Sequence, residues 1–241
     1  MDKLLDFFAP TNYKLALEIN RIEATIHGQV LITGVPTSET VKFHAVDLEI
    51  ERVRLTGTDQ DNFDYKNGVL ELPIDIDLIG QSVTFEITYH TNLNQNMQAC
   101  YLSTYRHKGK EERIAITQFE SHYARECFPC VDEPAAKATF DLTLIIPDFE
   151  PGDVVLANTP LAEEIAGADF SANNDEQLQA LSDFINPHAG ETSRVFTFET
   201  TPRMSTYLLA WVIGKFHKVE TVNKNGVKIA SYATLAQPKS A

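Results

Sequence analysis

Positive charge is scarce in this sequence. The 241 residues include 20 Lys and Arg against 34 Asp and Glu, which gives a net charge of −14. A field of this sign repels the phosphates of nucleic acids and disfavours anionic membrane surfaces. We therefore expect neither nucleic acid nor membrane as a partner. The charge is compatible with cationic ligands, but ordinary solubility of an acidic protein explains it equally well.

Long apolar runs and cysteines are also few. No stretch approaches the roughly 18 apolar residues of a membrane-spanning helix, and the N-terminal patch contains two aspartates and is too short for a signal core. Three cysteines, an odd number, do not make a disulfide framework in a chain of this length. These absences predict an unexported, cytoplasmic protein.

The sequence has no histidine pair at the spacing of a helical zinc site. Such a site needs two histidines one turn apart with a neighbouring glutamate. The closest two here, His107 and His122, are fifteen positions apart by subtraction. Ligands could still come from distant strands, but isolated histidines are typical of protein surfaces. We therefore predict no metal ligands in this chain. Its seven histidines are His27, His44, His90, His107, His122, His188 and His217.

Other motifs that commonly carry catalysis are missing or weak. There is no glycine-rich phosphate loop and no G-x-S-x-G elbow. The pair Cys127 and Cys130 lacks the strand–helix context of a redox motif, so two reduced thiols are expected. Asp132 and Glu133 precede a proline, which favours a turn, and Arg125 is the obvious partner for a structural salt bridge there. We predict no catalytic residue in this chain.

Apolar and polar residues alternate through most of the chain, as in half-buried β-strands. This pattern covers 13–22, 25–35, 41–48, 49–55, 82–89, 138–147, 153–157, 195–199 and 207–216. Asn67-Gly68 and Asn225-Gly226 predict hairpins, and Gly28 suggests a bulge or an edge within its strand. The apolar run 208–213 predicts a central, fully buried strand. The sequence thus predicts an all-β, sandwich-like or saddle-shaped fold.

One segment departs from the β pattern. Apolar residues recur at helical spacing between Asn173 and Ile185, with Asn174 as a candidate N-cap and Pro187 beyond the end. We predict a short surface helix there, inserted in an acidic, Ala/Asn-rich connection that runs from 162 to 193.

The most unusual stretch is Thr117 to Phe140, TQFESHYARECFPCVDEPAAKATF, where the strand alternation breaks down. Gln118 and Glu120 stand two positions apart on what begins as a strand, so they are expected to share one face. Such a pair is most often simply solvated. If the carboxylate faced a pocket, however, it could bind a cationic amine through charge-assisted hydrogen bonds, and the amide could orient the same group.

This stretch closely resembles the N-terminal domain of the zinc aminopeptidase N family, which also contains the leukotriene A4 hydrolase-like enzymes. The family carries T-Q-F-E, then A-R, then F-P-C-x-D-E-P-x-x-K-A-x-F. Two further blocks agree in order and spacing: 157–160 (ANTP) is similar to the family's S-N-x-P turn, and 202–210 (PRMSTYLLA) resembles P-x-M-S-T-Y-L-L-A. The resemblance covers essentially the whole chain.

The resemblance implies a saddle-shaped β domain, residues 1–236, with 237–241 beginning the connection to a zinc catalytic domain. The family's G-A-M-E-N and H-E-x-x-H motifs do not occur here, so zinc and its ligands would belong to that downstream domain. The implied activity is removal of N-terminal residues from peptides, with Gln118 and Glu120 recognising the free α-amine and lining the first side-chain pocket. This chain alone would be inactive.

Two departures from the family pattern and two rival functions stay open. Cys100 stands before Tyr101 where the family tends to have a small residue, which could alter the pocket wall, and the insertion at 173–185 is expected to be peripheral. One rival function is a free-standing β-sandwich that binds peptides or proteins. The other is a catalytically degenerate homologue, against which the presence of Gln118 and Glu120 argues.

Overall fold

The computed structural model describes residues 3–58, 62–170, 183–185 and 193–237, and confirms an all-β fold. Most predicted strands are present, although their ends are shifted. The structure also contains strands that were not predicted, among them those that flank the predicted turns. The described strands are β1 Phe8–Asn20, β2 Thr25–Pro36, β3 Thr40–His44, β4 Glu49–Leu55, β5 Asp64–Lys66, β6 Val69–Pro73, β7 Val83–Asn92, β8 Ala99–His107, β9 Lys110–Gln118, β10 Thr139–Ile146, β11 Asp153–Ala157, β12 Leu161–Ala166, β13 Arg194–Phe198, β14 Trp211–Val222 and β15 Lys228–Thr234.

Helical structure is minor in the described ranges. It consists of residues 183–185 and of single 3₁₀ turns at Leu4–Asp6, Ile76–Leu78, Ala124–Glu126, Gly167–Asp169 and Thr206–Leu208. Across those same ranges, the structure contains no helix with the length and apolar character needed to traverse a bilayer.

The strands form three sheets. The largest has the order β12-β13-β10-β1-β2-β7-β4, in which β1 and β10 are parallel and the other neighbours antiparallel. The second has the order β11-β14-β9-β8, and β15 pairs with the C-terminal half of β14. The third is β3-β6-β5. All three contribute side chains to one main core, because period-two alternation gives each sheet an apolar inner face.

Gly28 lies in neither a bulge nor an edge, so that prediction was wrong. It is on β2, in the middle of the largest sheet, directly opposite Leu17 on one side and Tyr89 on the other. A Cβ at this position would lie 2.4 Å from Cζ of the buried Tyr89 ring. Glycine is therefore required because an aromatic ring approaches closely. The neighbouring sequence does not reveal this requirement, because the ring belongs to another strand.

Both predicted hairpins are confirmed. Asn67 and Gly68 have φ values of 55° and 73° and join β5 to β6, with Lys66 opposite Val69. Positive φ at both positions is the geometry that makes Asn-Gly the preferred two-residue hairpin turn. The second hairpin joins β14 to β15 through a longer turn that includes Gly226.

The run 208–213 was predicted as a central, fully buried strand, but only 211–213 are in a strand, and Val212 there is half-buried. Residues Thr206–Leu208 form a 3₁₀ turn that leaves Leu208 47% exposed, and β14 begins only at Trp211. From there β14 is central, between β11 and β9. Composition cannot separate the two halves, because both consist of apolar residues.

The connection 162–193 contains an edge strand that the sequence pattern missed, because β12 pairs with β13 over Leu161–Ala166. The predicted helix lies outside the described residues except for its end, residues 183–185, which are helical. Phe184 and Ile185 are buried in a second, small apolar cluster with Leu31 and Val195. This end of the insertion therefore packs on the largest sheet.

Candidate functional site

The outer face of the second sheet carries an apolar row. Tyr101 is opposite Ile116, Ile116 is opposite Val212, and Val212 is opposite Leu156, so these four side chains cross β8, β9, β14 and β11 on one face. All four are half-buried. Their neighbours in sequence, such as Trp211 and Ile213, point into the main core. A sheet with apolar residues on both faces is typical of one that is covered on both sides.

A depression of about 270 Å³ lies along this apolar row, lined by Ile116, Val212 and Leu156 together with Asn158. Asn158 follows β11, and its side-chain amide donates to the carbonyl of Leu208 at 2.9 Å and accepts from the N–H of Ala210 at 2.7 Å. The amide thus holds together the ANTP and PRMSTYLLA blocks. The resemblance of residues 157–160 to a family turn included Asn158 but did not predict these hydrogen bonds.

Gln118 lies beside the apolar row, and Glu120 follows it in the chain. Gln118 is the last residue of β9, two positions beyond Ile116 and opposite Ala99. Glu120 follows the strand and lies in a turn, so the expectation that both stand on one strand face holds for Gln118 alone. Both side chains are nevertheless exposed, with Phe119 buried between them. Neither makes a side-chain hydrogen bond or ion pair with another residue of the described ranges.

Phe119 anchors the end of β9 in the core. Its ring lies edge-on to Phe128, with centroids 5.9 Å apart, and to Trp211. Beside it, the Thr117 hydroxyl accepts from the N–H of Trp211 at 3.1 Å. Aromatic contacts of this geometry add to the gain from burial itself. The two exposed polar residues are thus held on either side of a fixed aromatic side chain.

The turn that contains Glu120 is closed by two hydrogen bonds at Tyr123. The Tyr123 N–H donates to the carbonyl of Phe119 at 2.9 Å, and the Tyr123 hydroxyl accepts from Nε2 of Gln98 at 2.8 Å. Gln98 immediately precedes the strand residue that pairs with Gln118. The peptide bond between Glu120 and Ser121 is cis. The loop before β8 and the turn after β9 therefore form one polar corner around Gln118 and Glu120.

The predicted salt bridge between Arg125 and Asp132 is confirmed. Arg125 Nε donates to Oδ2 of Asp132 at 2.9 Å, and Arg125 Nη2 donates to the Asp132 carbonyl at 2.8 Å. Burial of Asp132 outweighs the pairing with Arg125, and the pKa of its carboxyl is raised. Glu133 faces elsewhere and accepts from the N–H of Leu4. The two adjacent carboxylates thus serve separate structural contacts.

His44 is buried, contrary to the expectation that the isolated histidines lie on the surface. Its Nδ1 accepts a hydrogen bond from the N–H of Asp132 at 3.1 Å, and its backbone pairs with Cys130. Burial, reinforced by the nearby charge of Arg125, lowers the pKa of His44 from 6.5 to about 4. At neutral pH the ring is therefore uncharged and acts as a hydrogen-bond acceptor inside the motif.

The cysteines are free thiols, as predicted, and all three are buried. Cys100 is directed into the core and is 2% exposed, so it does not form part of a pocket wall, and that expectation was wrong. Burial raises the pKa of Cys127 and of Cys130 well above the ordinary value of a thiol. Neither thiol of the Cys-x-x-Cys pair thus resembles the exposed, acidic cysteine of a redox enzyme.

We also tested whether residues of this chain could hold a zinc ion. Over the ranges that the structure describes, no three or more His, Cys, Asp or Glu side chains are grouped so that they could bind a metal. The described residues therefore do not fit a zinc ion, and no reaction step can be derived through one here.

Comparisons with known proteins agree with the motif. The family model described as "Peptidase M1 N-terminal domain" matches residues 9–208. Aminopeptidase N of Lactococcus lactis subsp. lactis is 39% identical over 239 residues, which cover 99% of this chain and 25% of that protein. Endoplasmic reticulum aminopeptidase 1 of Homo sapiens is 32% identical, and puromycin-sensitive aminopeptidase of Caenorhabditis elegans is 30% identical, each over 96% of this chain and 23% of the relative. The chain thus spans about a quarter of the length of these relatives.

Proposed function

The chain belongs to the peptidase M1 family, as its N-terminal domain, and from this premise we propose that it supplies the amine-binding part of an aminopeptidase active site. The proposed substrates are peptides with a free N-terminus. The observation that carries the proposal is the placement of Gln118 and Glu120, two exposed polar residues held on either side of buried Phe119 with no described side-chain partner of their own. The relatives are named as aminopeptidases.

The physical reason is a charge match. A peptide N-terminus carries an ammonium group at neutral pH, whereas an internal peptide bond carries none. A carboxylate that is shielded from water in the assembled enzyme gains a charge-assisted hydrogen bond from the ammonium. When an internal peptide bond occupies the same place, the carboxylate is left without a partner. Glu120 would provide that carboxylate, and the Gln118 amide would orient the amine and line the first side-chain pocket. Selectivity for chain ends follows from this difference.

The shielding would come from the rest of the protein. The apolar row of Tyr101, Ile116, Val212 and Leu156 passes beside Gln118, which lies two positions beyond Ile116 on β9. The depression along the row is open. Three quarters of the length of the relatives lies outside the part that this chain matches. We propose that a catalytic domain in that remainder covers the apolar row and thereby brings Gln118 and Glu120 to its edge. In this proposal zinc and all its ligands belong to that domain.

The test compares Glu120→Gln with unaltered protein in the M1 protein that carries this domain, with zinc content measured in both. Loss of a hydrogen bond to a charged group costs about 1.5–3 kcal/mol, so kcat/KM for an aminoacyl chromogenic substrate should fall about 10- to 150-fold. Glu163→Gln, an exposed glutamate on edge strand β12, is the matched control and should leave kcat/KM unchanged. Unchanged activity in Glu120→Gln would make Glu120 a solvated residue and this domain a scaffold. No activity in the zinc-loaded parent would favour a degenerate homologue.

A further inference from the structure

The turn that carries Glu120 is fixed at its two ends and exposed between them. Phe119 before the turn and Ala124 after it are buried in the main core, whereas residues 120–122 are exposed. The Tyr123 N–H closes the turn by donating to the carbonyl of Phe119 at 2.9 Å. Burial therefore fixes where the turn begins and ends, but it does not fix the exposed residues in the middle.

One side-chain hydrogen bond joins this turn to a second segment of the chain. Gln98 Nε2 donates to the Tyr123 hydroxyl at 2.8 Å, and both side chains are half-buried. Across the ranges that the structure describes, it is the only hydrogen bond that links a side chain of residues 120–123 to another segment. Without it, the turn would be attached to the fold only at its ends.

The segment that supplies Gln98 is itself held in place by the backbone. The Asn94 N–H donates to the carbonyl of Cys100 at 2.8 Å, which closes the loop before β8. Ala99, the residue after Gln98, is the first residue of β8 and pairs with Gln118. Gln98 is thus fixed next to the strand pair that places Gln118, while its side chain reaches the turn after β9.

We propose that Tyr123 is a positioning residue for amine recognition, and that its hydrogen bond with Gln98 keeps Glu120 in place beside Gln118. This inference rests on the proposed function, because Tyr123 would act through Glu120 and would not touch the substrate. A carboxylate that is held in place before binding forms its charge-assisted hydrogen bond without first ordering the turn. A loosened turn would lose part of that gain to the entropy of ordering.

The expected effect is confined to ligands that carry an amine. A ligand without an amino group makes no hydrogen bond of this kind to Glu120, so the order of the turn does not change its affinity. A purely structural role of Tyr123 would instead weaken both kinds of ligand. The ratio of the two affinities therefore separates positioning from general loss of structure.

The experiment uses the M1 protein that carries this domain, with zinc content measured in every variant. The two probes are leucine hydroxamate and the same hydroxamate without its amino group, each tested as a competitive inhibitor. In Tyr123→Phe, which removes only the hydroxyl oxygen, affinity for leucine hydroxamate should fall about 2- to 12-fold, as for the loss of one neutral hydrogen bond. Affinity for the desamino probe should not change. Gln98→Leu should reproduce this result, and the double variant should add no further loss.

Two further variants serve as controls. Tyr105→Phe removes a phenol hydroxyl that donates to the Lys215 carbonyl at 2.7 Å, toward the opposite end of β8 from Ala99. This variant should keep the affinity ratio of the unaltered protein. In a Glu120→Gln background, Tyr123→Phe should have no further effect on the ratio, because no carboxylate remains to be positioned.

Failure of this inference can be distinguished from failure of the proposed function. If Glu120→Gln lowers the affinity ratio and Tyr123→Phe does not, Glu120 binds the amine without help from Tyr123, and the inference is wrong. Equal weakening of both probes in Tyr123→Phe would make Tyr123 a structural residue only. An effect that Gln98→Leu does not reproduce would show that the hydrogen bond between the two side chains is not the cause. An unchanged ratio in Glu120→Gln would overturn the proposed function, and this inference with it.

Discussion

The ring of Phe119 lies edge-on against the indole of Trp211, with centroids 5.4 Å apart and planes inclined by 76°. Phe119 separates the two polar residues of the proposed site, and Trp211 begins the central strand of the sheet that supports them. The contact therefore couples the position of Gln118 and Glu120 to the main core. A site built on such an anchored residue is held more closely than one on a free loop.

Removal of this anchor should be costly. Phe119→Ala deletes a fully buried ring, and such substitutions lower the free energy of unfolding by about 3–5 kcal/mol, because burial is lost and a cavity remains. Denaturant unfolding of the isolated chain measures the change. Leu208→Ala, which truncates a side chain that is 47% exposed, is the control and should cost under about 1 kcal/mol. Equal effects from the two variants would contradict the proposed anchoring role.

Stability should depend on pH through His44. Its pKa is about 4 in the folded chain against an ordinary value of 6.5, so between these pH values the unfolded chain binds a proton that the folded chain does not. The stabilisation is complete above about pH 6.5 and is lost as pH falls through 4, on the order of 3 kcal/mol in total. Urea unfolding at several pH values from 4 to 7 measures this slope.

The matched variant is His44→Asn, which keeps an acceptor near the Asp132 N–H but cannot titrate. We expect the slope between pH 4 and 6.5 to become flatter in this variant. His217→Asn, at a half-buried position on β14, serves as the control and should keep the slope of the unaltered chain. A slope that persists in His44→Asn would assign the pH dependence to other groups.

Gly28 should not tolerate a methyl group. Gly28→Ala places a Cβ within 2.4–2.7 Å of three side-chain atoms of the buried Tyr89, and overpacking of this kind costs about 1–3 kcal/mol. A double-mutant cycle with Tyr89→Leu tests the cause, since the smaller side chain makes room. The penalty of Gly28→Ala should shrink in the Tyr89→Leu background. An unchanged penalty would point to the backbone and not to the ring.

Much of the fold could be predicted from the sequence because strand signals are local. Alternation located most strands, and Asn67-Gly68 identified its hairpin because the required dihedral angles select those two residue types. The Arg125–Asp132 pair was also predictable, since both residues flank one short turn. Edge strand β12 was missed because its exposed residues, such as Glu163 and Glu164, show no alternation.

The remaining features depend on contacts between distant parts of the chain. The space beside Gly28 is limited by a ring on another strand, and Asn158 is hydrogen-bonded to a loop fifty residues away. No spacing rule connects these residues, because the pairing of strands decides which of them meet. The same holds for Gln118 and Glu120: the sequence motif named them, but their exposure around Phe119 is a property of the folded sheet.

The apolar row gives the last prediction. Tyr101, Ile116, Val212 and Leu156 share one half-buried face, and an uncovered face of this kind favours association. We expect the isolated chain to self-associate weakly in sedimentation velocity, and Ile116→Glu to abolish this. The control is Ile76→Glu, which alters an isoleucine that is 61% exposed but lies far from the row in the sequence, in the 3₁₀ turn before β7. Both variants add the same charge. A loss of self-association in Ile116→Glu alone would therefore identify the face with the apolar row as the surface that associates. A monomeric unaltered chain, or equal effects of the two variants, would remove the support for a covering domain, and the shielding of Glu120 would then need another source.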